Sequence, residues 1–288
     1  MSHTELKKQK SVWKPSLKSI FYFSVYDIVL SAILLSLHIV VMMFAKFTIL
    51  AVIPLQLEFI LYIFYGLILG PFKGSLLSIV GDTVVLLITG TIGTWFYIYA
   101  LIPPAIAIVS WLYYWMFKST KYTRFIVSYI LMLISFILVI WVYAKHSEND
   151  GTFKLTKKVF APKDIMIVLM FVYAFLAFAL STTFLGLYIK FKNEKWNDYM
   201  MVTSLILFVS VVFRWVIGPV AFIEYYNYFT APKSGKLKHY SIDYIVLFVK
   251  IVVKDLFAIP IYIAVLAPVY SAVKIMESHF SLNKNVRY

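Results

Sequence analysis

The fold of this chain is decided by one stretch, Gly70-Pro71-Phe72-Lys73-Gly74-Ser75-Leu76-Leu77-Ser78-Ile79-Val80-Gly81-Asp82. Pro71 suits the first position of a helix, where its missing N–H is not needed. Gly70, Gly74, Ser78 and Asp82 recur every four residues and therefore share one face of that helix. A face of small residues lets a second helix approach closely within a membrane. The Asp82 carboxylate is thus predicted to point into protein rather than into lipid.

The composition is that of a membrane protein. Of the 288 residues, 62% are hydrophobic and 14% are charged, whereas soluble domains are about 45–50% apolar. The chain has no cysteine, which excludes disulfides and cysteine-bound metals, and no metal or cofactor is predicted. The net charge of +14 comes from lysines at segment ends and in loops, without a nucleic-acid-binding motif. Anionic lipid headgroups, not nucleic acid, are therefore the predicted partner of these charges.

Eight apolar runs are long enough to cross a bilayer as helices, which takes about 20 residues. They lie at 27–46, 49–69, 71–90, 97–117, 125–145, 164–190, 200–228 and 244–274. Pro103-Pro104 is predicted to kink or interrupt the fourth run, or to mark where its helix begins. The predicted fold is an all-α polytopic membrane bundle over residues 27–276, with a basic arm at 1–26 and a tail at 277–288.

The distribution of lysine and arginine predicts the orientation of the bundle. With residue 1 in the cytoplasm, 15 Lys and Arg residues fall on the cytoplasmic side and nine on the other. Most of the nine lie in the two longest loops, whose charges count for less. Both termini are therefore predicted to be cytoplasmic, and the loops at 90–96, 145–163 and 229–243 to face outward.

Ionisable residues within apolar runs are candidates for function, since a charge at a helix centre costs about 2.5–3.5 kcal/mol on insertion. The set is His38, Glu58, Asp82, Arg214, Glu224, Lys250, Lys254 and Asp255. For His38, a buried hydrogen-bonded histidine is favoured over a relay or a ligand. For the others, one interpretation is an outward-opening cationic cavity of Arg214 and Lys250, closed below by a pair between Asp82 and Lys254. The alternative is that these charges only pair with one another and hold the helices in register.

Two further motifs each allow two interpretations. Thr94 is followed by Trp95, Phe96 and Tyr97 in the predicted outward loop. Such residues form interfacial belts without a ligand, but their rings also stack on flat heteroaromatic molecules. Ala32 and Ser36 form a small-xxx-small motif in the first run, which suits close packing either inside this chain or against a partner helix.

The block from Ile53-Pro54-Leu55 through Gly70-Pro71 and Gly81-Asp82 to residues 91–97 resembles the substrate-binding subunits of energy-coupling-factor vitamin transporters. The folate-binding branch is nearest, and riboflavin, thiamine or another vitamin stays open. The resemblance covers residues 27–117 and, more weakly, 243–276. It implies a subunit of the bacterial cell membrane that captures a vitamin outside. Delivery would use a transmembrane coupling subunit and two ATPase subunits.

The resemblance also implies roles for residues of this sequence. In the family, the loop equivalent to 90–96 helps to cap the substrate, and an Ala-xxx-Ala pattern, here Ala32 and Ser36, packs against the coupling subunit. The predicted substrate site comprises Asp82, Thr94, Trp95, Phe96, Tyr97, Arg214, Lys250 and Lys254. Family members usually have six spanning helices, so eight runs imply an inserted pair at 125–190, or an alignment in which 164–190 is the fifth family helix.

Enzyme signatures are missing from the sequence, which has no metalloprotease, hydrolase or phosphate-loop motif. The chain is therefore not predicted to be an enzyme, and energy for transport must come from a partner or a gradient. Two rival interpretations stay open. One is an intramembrane enzyme that uses Glu58, Asp82, Glu224 or Asp255, and the other is a stand-alone secondary transporter.

The predicted orientation can be tested with single cysteines, since the chain has none. In intact cells, a membrane-impermeant thiol reagent is expected to label a cysteine placed at Gly151 and to leave one at Ser119 unlabelled. The reverse labelling would contradict the predicted topology.

Overall fold

The computed structural model describes residues 21–47, 56–119, 121–146, 152–154, 160–241 and 243–283. The helices of this part are α1 (Val25–Phe47), α2 (Glu58–Leu69), α3 (Pro71–Ile88), α4 (Tyr97–Ser119), α5 (Lys121–His146), α6 (Lys163–Phe191), α7 (Glu194–Val209), α8 (Ile217–Phe229), α9 (Ala231–Ser234) and α10 (Asp243–Asn283). A π-helical segment, Ser210–Val216, joins α7 to α8, and a 3-10 turn, Ile92–Thr94, precedes α4. Two short antiparallel strands, β1 (Thr152–Lys154) and β2 (Phe160–Pro162), lie between α5 and α6.

The helices confirm the predicted all-α polytopic bundle of about eight spans. Among the described residues, seven helices are long and apolar enough to cross a membrane, when Glu194–Phe229 is counted as one. The eighth is α2, an apolar helix of 12 residues; the part of its predicted run at 49–55 lies outside the described residues. Pro103 and Pro104 lie inside α4, so they neither interrupt this helix nor begin it.

The bundle is built around α7, which contacts α4, α5, α6 and α10. Met200, Val202 and Leu205 of α7 are completely buried. On one side, α2 lies between α3 and α4, and α1 packs on α2 and α3. Large apolar side chains remain exposed on the outer faces of the helices. Such faces suit a protein that is surrounded by lipid, where exposed apolar side chains carry no penalty.

The turn between α2 and α3 has the predicted form. Gly70 has a φ of 84°, which favours glycine, and Pro71 is the first residue of α3. Gly74 and Ser78 are buried on the face of small residues. A Cβ on Gly74 would lie 2.7 Å from the carbonyl oxygen of Tyr65 in α2, which is too close for two real atoms. This face of α3 therefore packs at backbone contact against α2.

The α2 helix is equally close to α4. A Cβ on Gly66 would lie 2.2 Å from the carbonyl oxygen of Ala107. The α2 helix is thus fixed between two neighbours by glycines, and the space between the backbones is too small for any side chain. Such close approach is how helices gain stability in a membrane, where burial of apolar surface gives no driving force.

Ion pairs join helix ends at one side of the bundle. They are Asp27 with Lys73 at 2.7 Å, Arg124 with Glu194 at 3.2 Å, and Asp198 with Lys274 at 2.5 Å. The alternating path of the chain places all six residues on the side of the α2–α3 turn, whereas the pair of Lys238 and Asp243 lies at the other side. These charges lie near the ends of helices that are long enough to cross a membrane.

We expect Gly66→Ala to lower the free energy of unfolding by about 1–3 kcal/mol, because the added methyl group overpacks the contact with α4. Gly186→Ala in α6 is the matched control, since nothing lies within 4 Å of its Cβ position. Thermal unfolding of both variants in detergent measures the effect. Equal melting temperatures for the two variants would contradict the close contact of α2 with α4.

Candidate functional site

Arg214 and Asp255 form a buried bidentate ion pair in the centre of the bundle. Arg214 Nε donates to Asp255 Oδ2 at 2.8 Å, and Nη2 donates to Oδ1 at 2.5 Å. The two side chains are 4% and 0% exposed. The adjacent indole N–H of Trp215 also donates to Asp255 Oδ2, at 2.7 Å. Arg214 and Trp215 both lie in the π-helical segment, a kind of turn that is frequent at functional sites.

The Arg214 guanidinium is also enclosed on its other sides. Its Nη1 donates to the Tyr262 hydroxyl at 3.1 Å, and this hydroxyl accepts a second hydrogen bond from the Gln56 backbone N–H at 2.8 Å. The ring of Phe59 lies 5.1 Å from the guanidinium carbon. The network therefore joins the π-helical segment to α10 and to the beginning of α2. Within it, the positive charge of Arg214 is neutralised by the protein itself.

A second polar group lies between α2 and α3. The hydroxyl of Tyr62 donates to Asp82 Oδ1 at 3.1 Å, and Tyr62 is 3% exposed. Glu58 lies one helical turn before Tyr62 on the same face, and its charge interacts with those of Asp82 and Arg214. Neither Glu58 nor Asp82 forms an ion pair in the part of the chain that the structure describes. In the same part, no group of three His, Asp or Glu residues is placed to hold a metal ion.

His38 is a buried, hydrogen-bonded histidine, as the sequence favours. Its Nδ1 lies 2.8 Å from the Tyr65 hydroxyl, and this hydroxyl donates to the Leu34 carbonyl at 3.3 Å. Gly81 packs against the imidazole, and a Cβ there would lie 2.9 Å from Nδ1. His38 therefore holds α1 against α2 and α3.

The pair of Asp82 with Lys254 that the sequence allows is not formed. Lys254 is exposed, Lys250 is half-buried, and neither makes an ion pair among the described residues. Arg214 pairs with Asp255. For Arg214, the structure therefore favours the interpretation in which buried charges pair with one another and hold the helices in register. The sequence contains one indication of this pair, which is that both residues lie at a similar depth from the same end of the bundle. At 1.5 Å per residue, Arg214 lies about 22 Å from the end of α8, and Asp255 lies about 18 Å from the beginning of α10.

The predicted outward loop is docked through Phe96, which is 6% exposed. Ring centroids of Tyr97, Tyr225, Tyr228 and Phe229 lie 4.7–6.1 Å from the Phe96 ring. Thr94, Trp95 and Tyr97 are exposed, and Thr94 donates its hydroxyl to the Thr91 carbonyl. Tyr225 lies 11 residues, or about 16 Å, along the helical path from Arg214. The structure therefore separates the predicted site residues into an aromatic group at the end of the bundle and a polar group inside it.

Ala32 and Ser36 lie on an exposed face of α1. The Ser36 hydroxyl donates to the Ala32 carbonyl at 2.9 Å, within the same helix. Leu34 and His38, on the opposite face, are buried against the bundle. The small-xxx-small motif is therefore not used for packing within the described part of this chain, and its face is open to lipid or to a partner helix.

No family model, no curated protein and no solved structure matches this chain. The likeness to vitamin-transporter subunits consequently depends on the quoted residues alone.

We expect Arg214→Gln to destabilise the protein by about 3–5 kcal/mol, because Asp255 is left as a buried charge without a partner. A double variant, Arg214→Leu with Asp255→Leu, is expected to recover part of this loss, since no unpaired charge remains. Arg124→Gln is the control. It removes a pair whose Glu194 side chain is 58% exposed, so the expected cost is about 0–1 kcal/mol. Thermal unfolding in detergent gives the comparison, and similar losses for Arg214→Gln and Arg124→Gln would contradict the structural role of the buried pair.

Proposed function

We propose that this chain is the membrane-embedded substrate-binding subunit of an importer that resembles the energy-coupling-factor vitamin transporters. It binds a water-soluble vitamin, with folate nearest, from the outer side of a bacterial cell membrane. The observation that supports this proposal is the hydrogen-bonded polar interior around Arg214 and Glu58, in a bundle whose predicted outer end is aromatic. Ionisable groups at such positions are costly and usually serve binding or transport.

The predicted site residues differ in whether they are free to contact a ligand. Arg214 is neutralised by Asp255 and serves to hold the helices. Lys250 is half-buried and forms no ion pair among the described residues, so it is the cation that a vitamin carboxylate would contact. Trp95 is 45% exposed and its ring is accessible for stacking on a heteroaromatic group. Binding then combines one charge contact with ring stacking at the outer end.

In this proposal the exposed face of Ala32 and Ser36 on α1 receives the coupling subunit. Two small residues one turn apart leave a shallow surface on which another helix can lie closely. The energy comes from the two ATPase subunits, since this chain has no phosphate-loop motif.

A second candidate, an ion-coupled secondary transporter, is favoured by Glu58 and Asp82. These two carboxylates interact with each other and, in the described part of the chain, have no cationic partner in an ion pair. Carboxylates in such positions carry protons or cations in many transporters. Uptake by the purified chain alone in vesicles, driven by a proton or sodium gradient, would favour this candidate over the first.

We expect the double variant Ala32→Phe with Ser36→Leu to lose transport and co-purification with the coupling and ATPase subunits, because large side chains keep the partner helix away. Ligand binding by the isolated chain should be unchanged. Ile33→Phe, on the exposed surface of the same helix, is the control for added bulk. A double variant that transports and co-purifies normally would contradict this interface.

We expect Lys250→Gln to weaken binding of a carboxylate-bearing vitamin by about 1.5–3 kcal/mol, the range for hydrogen bonds to charged groups. Its affinity for a decarboxylated analogue should be unchanged, whereas Trp95→Ala should weaken both ligands. Lys46→Gln, at an exposed lysine near the end of α1, is the control for loss of a surface charge. Isothermal titration with folate and the analogue measures all three variants, and full affinity of Lys250→Gln for folate would remove the charge contact from the proposal.

A further inference from the structure

The α6 helix contacts α7 and also borders three cavities. The ring of Phe184 lies 6.1 Å from Trp196 and 5.7 Å from Tyr199. One of the cavities opens sideways, because its lining residues Val172 and Leu176 are 52% and 57% exposed.

We call the cavity of about 300 Å³ between α6, α7 and α10 the α6 crevice. A cavity of about 40 Å³ adjoins it and shares Tyr173, Ala177 and Leu207 with its lining. Trp215, which bonds Asp255, forms part of the wall of this smaller cavity. A separate cavity of about 280 Å³ lies between α5 and α6.

The surface of the α6 crevice is mainly apolar. Its polar side chains are Thr203, which donates to a carbonyl group of its own helix, and Tyr173, whose ring lies 6.5 Å from that of Trp215. The other lining residues are apolar. Apolar cavities of this kind stay dry and accept apolar guests.

The crevice lies at the depth of the lipid chains. Its lining from α6 spans positions 169–180 and its lining from α10 spans positions 256–263, which are central in helices long enough to cross the membrane. The hydrocarbon core is about 30 Å thick, so the sideways opening faces lipid chains rather than headgroups. A gap left empty there would lose the dispersion contacts of all the side chains that line it.

We propose that the α6 crevice binds one hydrocarbon chain of a bilayer lipid, which enters sideways between α6 and its neighbours. A volume of 300 Å³ holds about ten groups the size of a water molecule, at about 30 Å³ each. This is room for a substantial part of an acyl chain. The bound chain packs against Tyr173, whose ring lies 6.5 Å from that of Trp215. This site is separate from the vitamin site and does not depend on the proposed function.

A phospholipid with a photoreactive diazirine at the end of one acyl chain tests the site. The full chain is reconstituted in vesicles that contain this lipid, irradiated, and mapped by mass spectrometry. Label is expected at Leu207 and Ile263, which line the crevice and are only 7% and 9% exposed. Label confined to outer positions such as Val168 and Phe175 would show ordinary surface lipid alone and would overturn the proposal.

Two variants distinguish lipid bound in the crevice from lipid on the outer surface of the same helix. Ala177 lines the crevice, whereas Ala179 is exposed on the outer face. Ala177→Trp should reduce label at Leu207 severalfold, and Ala179→Trp should leave it unchanged. Equal label at Leu207 in both variants would overturn the proposal. If Ala177→Trp fails to fold, the labelled positions in the unaltered protein still test the proposal.

Discussion

The ion pair of Arg214 and Asp255 is the interaction on which the bundle depends. Removing two charges from water costs several kcal/mol per ion, and the cost is recovered only when the geometry is good and other hydrogen bonds complete the pair. Here the Asp255 carboxylate accepts three hydrogen bonds, two from Arg214 and one from Trp215. Tyr262 then connects the guanidinium to the start of α2. Three elements that are far apart in sequence are thus held in one register.

The glycine contacts of α2 set the second constraint. Because Gly66 and Gly74 bring α2 to backbone contact with α4 and α3, the side chains of α2 can point only along the remaining directions. Tyr62 reaches Asp82, and Tyr65 reaches His38. A short helix thereby supplies hydroxyl groups to both neighbouring polar residues. The polar interior that supports the proposed function is therefore a consequence of close helix packing.

The two sides of the bundle differ in how they are packed. The group of α1 to α4 is close-packed through glycines, whereas α6 leaves a crevice against α7 and α10. The resemblance implies that α5 and α6 are an inserted pair, and each of them contacts α7 more than it contacts the other. The crevice approaches the buried ion pair through Tyr173, whose ring packs near that of Trp215.

The sequence alone determined the membrane class, the eight apolar runs and the tight turn at Gly70-Pro71, because these depend on local composition and on backbone geometry. It also named a set of ionisable residues within the apolar runs, Arg214 and Asp255 among them. Which of them meet was decided by the tertiary structure. Asp255 and Lys254 are adjacent in sequence, yet Asp255 is buried and Lys254 is exposed, because helix rotation is set by packing. The π-helical turn directs both Arg214 and Trp215 at Asp255. It cannot be predicted from the local sequence, since tertiary contacts are needed to stabilise it.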